Sequence, residues 1–126
     1  MQHVLLVALG GGLGAACRHL VSLWTLKTFG PGFPLGTMTV NVLGSLLMGL
    51  LVGWLAARSS GDTALRLVLA TGFLGGFTTF SSFSLDTVFL WERGEGLAAA
   101  LYVGASVVLG IAGLVAGLWA VRALAS

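Results

Sequence analysis

Hydroxyl, glycine and aromatic residues crowd into one stretch of this chain, residues 72–84. The stretch holds three glycines, two threonines, three serines and four phenylalanines. Glycine and hydroxyl residues weaken or bend a helix, so this composition predicts an interruption rather than a continuous helix. Carbonyls opened near Gly75 to Thr78 would suit a hard cation such as sodium, and the neighbouring hydroxyls would suit an anion.

Polar residues without formal negative charge also occur in the other apolar segments. Together with those of residues 72–84, they are Thr37, Asn41, Thr78, Thr79, Ser81, Ser82, Tyr102 and Ser106, with Arg18 as an electrostatic anchor. Hydroxyl and amide groups donate hydrogen bonds, which a small anion needs once it sheds its water. Phe80 and Phe83 flank these hydroxyls, and an aromatic ring has an electropositive edge that can face an anion. The pattern therefore favours a path for a small anion.

The composition of the chain indicates an integral membrane protein. Of its 126 residues, 57% are hydrophobic and only 8% are charged, against about 25% in soluble domains. Because a membrane span needs about 20 apolar residues, the sequence predicts an all-α membrane domain of four transmembrane helices, with the third broken. The predicted spans are residues 3–27, 35–57, 64–91 and 97–121. A net charge of +2 is too small to indicate a nucleic-acid partner.

Small residues recur at a spacing of four in the first two segments. Gly10 and Gly14 form such a pair, and Ser45, Gly49 and Gly53 continue the series in the second segment. This spacing places small residues on one helix face and lets neighbouring helices approach closely. We therefore interpret these residues as sites of helix packing. A separate expectation is that Asp62 caps the start of the third segment.

The cations at or near the ends of the spans do not select one orientation in the membrane. Arg58, Arg66 and Arg122 share a side, whereas Lys27 and Arg93 lie on the other. Since an excess of Lys and Arg normally marks the cytoplasmic side, three against two predicts insertion in both orientations. The sequence therefore predicts an antiparallel, dual-topology homodimer in which two broken segments meet, with carbonyls from both available to a cation.

Three motifs resemble a known family. They are Gly12-Leu13-Gly14-Ala15 with Arg18-His19, then Gly36-Thr37 with Val40-Asn41 and Gly44-Ser45, and then residues 72–84. In order and spacing they resemble the fluoride channel family called Fluc or CrcB. The resemblance implies a multi-pass protein of the cell inner membrane that exports fluoride passively. It further implies a dual-topology homodimer with two fluoride pores and a structural sodium ion at its centre.

The resemblance also implies roles for individual residues. Asn41 resembles the pore asparagine that donates a hydrogen bond to fluoride, and Phe80 and Phe83 resemble the paired phenylalanines that line each pore. Gly75 and Thr78 resemble the residues whose backbone carbonyls hold sodium. These assignments remain expectations.

A polar track is implied beside the phenylalanines. Its members by resemblance are Thr79, Ser81, Ser82, Tyr102 and Ser106. The family often continues this track with a serine one helical turn after Ser106, where this chain has Gly110. Asp86 stands where the family often has an acidic residue near the pore mouth.

Two other functions fit part of the pattern. A small dual-topology multidrug exporter would share the length, the span count and the weak charge bias, but such exporters need a carboxylate inside the membrane, and the first segment has none. An assembly subunit held together by glycine-rich helix contacts would explain the small residues alone. Asn41→Ala, which should stop fluoride efflux from a channel, separates the channel from the exporter, and passive fluoride flux would exclude the assembly subunit.

Overall fold

The computed structural model describes residues 1–58 and 63–125, and this part of the chain is helical with short connections. In chain order the elements are α1 (Gln2–Phe29), α2 (Leu35–Ala57), α3 (Thr63–Arg66), a π-helical segment (Leu67–Leu74), α4 (Gly75–Phe77), α5 (Phe80–Glu92) and α6 (Gly96–Ala125). Among these described residues, four spans are long and apolar enough to cross a membrane, the third being Thr63–Glu92. The predicted all-α membrane fold is confirmed. The expected cap at Asp62 lies outside the described residues.

The third span changes its helical geometry and then breaks. Its π-helical segment, Leu67–Leu74, is followed by the single turn of α4. Thr78 (φ −90°, ψ 158°) and Thr79 (φ −153°, ψ 119°) are then extended, and α5 begins at Phe80. Thr79 caps the new helix, because its Oγ1 accepts a hydrogen bond from the Ser82 amide at 3.2 Å. The predicted break in the third helix is thus confirmed.

Glycines bring α1 against the third span before the break. Gly10 and Gly14 of α1 are buried, and they face the backbone of Gly72 and Phe73. A Cβ atom at Gly14 would overlap the Phe73 carbonyl, so a larger residue there would force the helices apart. The close packing predicted for Gly10 and Gly14 is confirmed.

A second close contact joins α2 to α6. Gly49 and Gly53 are buried on α2, and Gly49 meets the backbone of Leu114. Gly117 of α6 faces the backbone of Leu46 in the same way. Packing was the predicted role of Gly49 and Gly53, and it is confirmed. Ser45, interpreted from its spacing in the same way, faces Gly110 of α6 and also lines a cavity.

Two turns at one end of the bundle are joined by Arg93. Gly30 (φ 80°) and Gly94 (φ 79°) adopt the left-handed backbone that favours glycine, at the ends of α1 and α5 respectively. Arg93 Nη2 donates to the Gly32 carbonyl at 3.0 Å and pairs with Glu95 at 2.6 Å. The loops after α1 and α5 are therefore held together at this end.

Candidate functional site

Asn41 of α2 holds both backbone groups of Thr79 at the break. Its Oδ1 accepts from the Thr79 amide at 2.7 Å, and its Nδ2 donates to the Thr79 carbonyl at 3.0 Å. A carboxamide has two N–H donors, so one of them is left after the bond to Thr79. Asn41 thus fixes the broken backbone and keeps one donor for another partner.

Two backbone carbonyls lose their helical partners because of this arrangement. In a continuous helix the Gly75 carbonyl would accept from the Thr79 amide, and the Thr78 carbonyl would accept from the Ser82 amide. The Thr79 amide donates instead to Asn41, and the Ser82 amide donates to the Thr79 side chain. The break therefore frees the carbonyls of Gly75 and Thr78, the same two that were expected to face a cation.

Arg18 of α1 binds another backbone carbonyl at the break. Its Nε donates to the Gly76 carbonyl at 3.0 Å, across 58 positions of the sequence. Gly76 would otherwise bond to the amide of Phe80 in a continuous helix. A freed carbonyl at membrane depth is costly unless it is satisfied. Arg18 from α1 and Asn41 from α2 thus fix the two sides of the interruption.

Replacing Arg18 with methionine should destabilise the fold. The Arg18→Met variant keeps an unbranched apolar stem but leaves the Gly76 carbonyl without its donor, so the free energy of unfolding should fall by about 2 kcal/mol. Reversible unfolding in mixed detergent micelles measures this change. His19→Met is the matched control, because His19 is exposed on the same helix. Equal stability of the two variants would contradict a bracing role for Arg18.

A cavity of about 390 Å³ opens beside the break. We call it the break cavity. Its lining residues come from α2, the interruption, α5 and α6, and they are Asn41, Gly44, Ser45, Met48, Thr78, Thr79, Phe80, Phe83, Ser106, Val107 and Leu114. The structure therefore brings together five predicted pore residues: Asn41, Thr79, Phe80, Phe83 and Ser106.

Ser106 is a buried polar residue in this lining. It is only 8% exposed, and its Oγ has no hydrogen-bond partner among the described residues. A buried polar atom without a partner is costly, and in native proteins it commonly indicates a missing ligand or water. The Ser106 hydroxyl is thus available to a ligand in the break cavity.

A row of aromatic rings leads away from the break cavity. The ring centroids of Phe80 and Phe83 are 5.6 Å apart, and those of Phe83 and Tyr102 are 5.3 Å apart. Tyr102 also meets Phe33 edge to face at 5.5 Å. The two phenylalanines differ in burial, since Phe80 is 79% exposed whereas Phe83 packs against buried Tyr102. The pair therefore extends from the surface of the chain into its core.

Tyr102 connects this row to a second cavity near the loops. Its hydroxyl donates to Asp86 Oδ2 at 3.1 Å. Asp86 and Thr37 line a cavity of about 310 Å³, which also contacts Arg93 and the turn after α1. We call it the loop cavity. Thr37 and Asp86 are thus placed together beside this cavity, where Asp86 also meets the Tyr102 hydroxyl.

Ser81 and Ser82 lie in the first turn of α5, next to the break cavity. Ser81 Oγ is 3.2 Å from Thr79 Oγ1, and the Ser82 amide is bound by the same Thr79 oxygen. Their observed contacts therefore serve the cap of α5.

Ser45, Met48 and Leu114 line the break cavity and were not among the predicted pore residues. For Ser45 a signal existed, because it follows Asn41 by four residues and so shares its helix face. Met48 follows Asn41 by seven residues and also shares that face, but its apolar side chain gave no signal of a polar cavity, and for Leu114 the sequence held no such signal.

Comparison with known proteins finds a matching family model and relatives that align with almost the whole chain. A family model described as "CrcB-like protein, Camphor Resistance (CrcB)" matches residues 5–118. A protein of Rhizobium leguminosarum bv. trifolii (strain WSM2304), named "Fluoride-specific ion channel FluC", is 51% identical over 99% of this chain and 100% of its own length. A protein of Nitrobacter hamburgensis named "Fluoride-specific ion channel FluC 2" is 56% identical over 98% of this chain and 99% of its own.

Proposed function

Because this chain belongs to the CrcB-like protein family, we propose that it is a passive fluoride channel of the inner membrane, lowering fluoride in the cytoplasm. It is a multi-pass membrane protein with four spans, and its family consists of ion channels rather than enzymes.

The composition of the break cavity is the observation that best supports anion conduction. Its described lining residues include an amide and several hydroxyls but no carboxylate. Asn41 retains one N–H, and Ser106 has a buried hydroxyl without a partner. A dehydrated anion is stabilised by such donors, and no described carboxylate lines the cavity to repel it. The cavity is therefore suited to a small anion such as fluoride.

The phenylalanine pair supports transit rather than tight binding. Phe80 and Phe83 line the same cavity as the donors. The positive edge of an aromatic ring attracts an anion only weakly. Conduction requires sites that bind well enough to admit an ion and weakly enough to release it. In our proposal fluoride passes the ring edges and the hydroxyls in turn and reaches the loop cavity beside Tyr102 and Asp86.

The exposure of the break favours a second copy of the chain as its partner. Gly75 is exposed, and Phe80, beside freed backbone groups, is 79% exposed. Lipid cannot satisfy freed backbone groups, so protein is expected to cover this region. With three cations near the span ends on one side and two on the other, both orientations are accessible. We infer an antiparallel homodimer with two pores, one beside each break.

A reporter of membrane topology tests the dimer directly. When it is fused after Ser126, we expect signals from both sides of the membrane in comparable amounts, because the charge bias is weak. Adding two lysines to the reporter's linker is a useful control, since it should shift the population toward one side. A strongly one-sided signal from the unmodified fusion would contradict the antiparallel arrangement.

The freed carbonyls of Gly75 and Thr78 support a structural sodium ion. Unwound backbone carbonyls at a helix break coordinate sodium in other membrane proteins. Each copy would contribute these two carbonyls, so two copies would surround the ion with oxygen. The described side chains contain no cluster of three or more His, Cys, Asp or Glu residues that could hold another kind of metal. Sodium at the dimer axis therefore fits the available ligands.

Exchanging sodium for a larger organic cation should weaken the dimer. Because N-methylglucamine cannot fit between backbone carbonyls, we expect a larger monomer fraction and a slower fluoride efflux in sodium-free buffer. Single-molecule subunit counting in liposomes measures the monomer fraction. Restoring sodium is the control and should reverse both effects. If dimer content and efflux stay the same in both buffers, the sodium site is wrong.

Fluoride efflux without an energy source tests the function itself. Liposomes that contain the purified protein and potassium fluoride should release fluoride when valinomycin balances the charge, with no proton gradient imposed. A multidrug exporter would need a proton gradient and an organic substrate, and an assembly subunit would release no ion. Release that appears only when a proton gradient is present would contradict a passive channel.

A further inference from the structure

The face of α2 that carries Asn41 changes its role along the helix. Ser45 follows Asn41 by one turn, and Gly49 follows by another. Gly49 is buried against Leu114 of α6, which closes the helices together at that level. Ser45 lies before this closure and lines the break cavity with Asn41 and Ser106. The Ser45 hydroxyl is therefore placed among the donors of the cavity.

The opposite helix leaves the Ser45 hydroxyl uncovered. Gly110 of α6 faces it, and a Cβ atom at Gly110 would lie 3.7 Å from Ser45 Oγ. That distance is ordinary van der Waals contact, so the absent side chain leaves room next to the hydroxyl. One turn earlier on α6, the buried Ser106 hydroxyl has no partner among the described residues. Hydroxyls of both helices thus line the same space.

The donors already assigned are too few for an anion without its water. Asn41 uses its oxygen and one N–H on Thr79, which leaves a single N–H. Ser106 adds one hydroxyl. We propose that Ser45 is a further fluoride-contacting residue, which supplies from α2 the hydroxyl that α6 lacks at Gly110. This inference rests on the proposed fluoride conduction.

Moving the hydroxyl from one helix to the other tests this assignment. Ser45→Ala should slow fluoride efflux about fivefold, the effect of losing one neutral hydrogen bond. The double variant Ser45→Ala/Gly110→Ser should recover efflux to within about twofold of the parent protein, because it returns a hydroxyl to the same space. A purely structural role for Ser45 predicts no such recovery.

A second double variant controls for adding a serine to α6. Gly104 lies on the same helix, and a Cβ atom there would meet nothing within 4 Å. Ser45→Ala/Gly104→Ser should therefore stay as slow as Ser45→Ala. The inference is overturned if Ser45→Ala conducts like the parent, or if the two double variants recover equally or not at all. Absence of efflux from the parent protein would instead overturn the proposed function and this inference with it.

Discussion

Asn41→Ala is expected to lower fluoride efflux from liposomes by about 100-fold or more. The substitution removes two hydrogen bonds to Thr79 and leaves a backbone amide and a carbonyl without partners, at about 1–3 kcal/mol each. It also removes the remaining N–H from the break cavity. Both losses act on the conduction path, because the backbone of the break and the donor set change together. A fluoride electrode measures the efflux rate.

Two further variants separate conduction from folding in this experiment. Asn41→Asp keeps an oxygen that can accept from the Thr79 amide but removes both N–H donors and adds a negative charge, so it should fold and still fail to conduct. Leu43→Ala is the matched control, because Leu43 is 40% exposed on the same helix. If Asn41→Ala retains the parent rate, Asn41 has a structural role only, and the proposed path is wrong.

Phe80→Ile and Phe83→Ile should each reduce fluoride efflux about tenfold while the dimer persists. Isoleucine preserves much of the apolar volume but has no positive ring edge to face an anion. Both rings line the break cavity, and their centroids are 5.6 Å apart. The anion would therefore lose the two groups that replace its water between the polar sites. Parallel measurements of efflux and of subunit count distinguish this effect from a loss of assembly.

Phe29→Ile is the control for this prediction, and the Phe80 and Phe83 variants should also differ in stability. Phe29 is 60% exposed at the end of α1, so Phe29→Ile should leave efflux unchanged. Phe83 packs against the buried cluster of Tyr102 and Leu90, so Phe83→Ile is expected to affect stability more than Phe80→Ile does. A loss of dimer that matches the loss of efflux in both variants would indicate packing rather than ion contact.

The break could be predicted from sequence because its cause is local. Glycines and hydroxyl residues between residues 72 and 84 disfavour a continuous helix wherever the segment lies. The close approach at Gly10 and Gly14 was likewise predictable, since their spacing places both on one helix face. These features depend on neighbours along the chain, which the sequence displays directly.

The contacts that shape the break could not be predicted in the same way. Arg18 meets Gly76 and Asn41 meets Thr79 across separations of 58 and 38 residues, and residue type alone does not select these partners. Ser45 illustrates the same difficulty, because its spacing matched Gly49 and Gly53 but its side chain also lines the break cavity. The hydrogen bond from Tyr102 to Asp86 also depends on how α5 and α6 pack. Long-range packing decides each of these details.

The most direct test of fluoride conduction compares two halides in the same vesicles. Purified protein is reconstituted into liposomes loaded with fluoride or with chloride, and the release of each is followed by an ion-selective electrode after valinomycin is added. We predict rapid release of fluoride and retention of chloride, because the donors and ring edges of the break cavity are proposed to accept a small dehydrated anion. Equal release of both halides, or release of neither, would contradict this account.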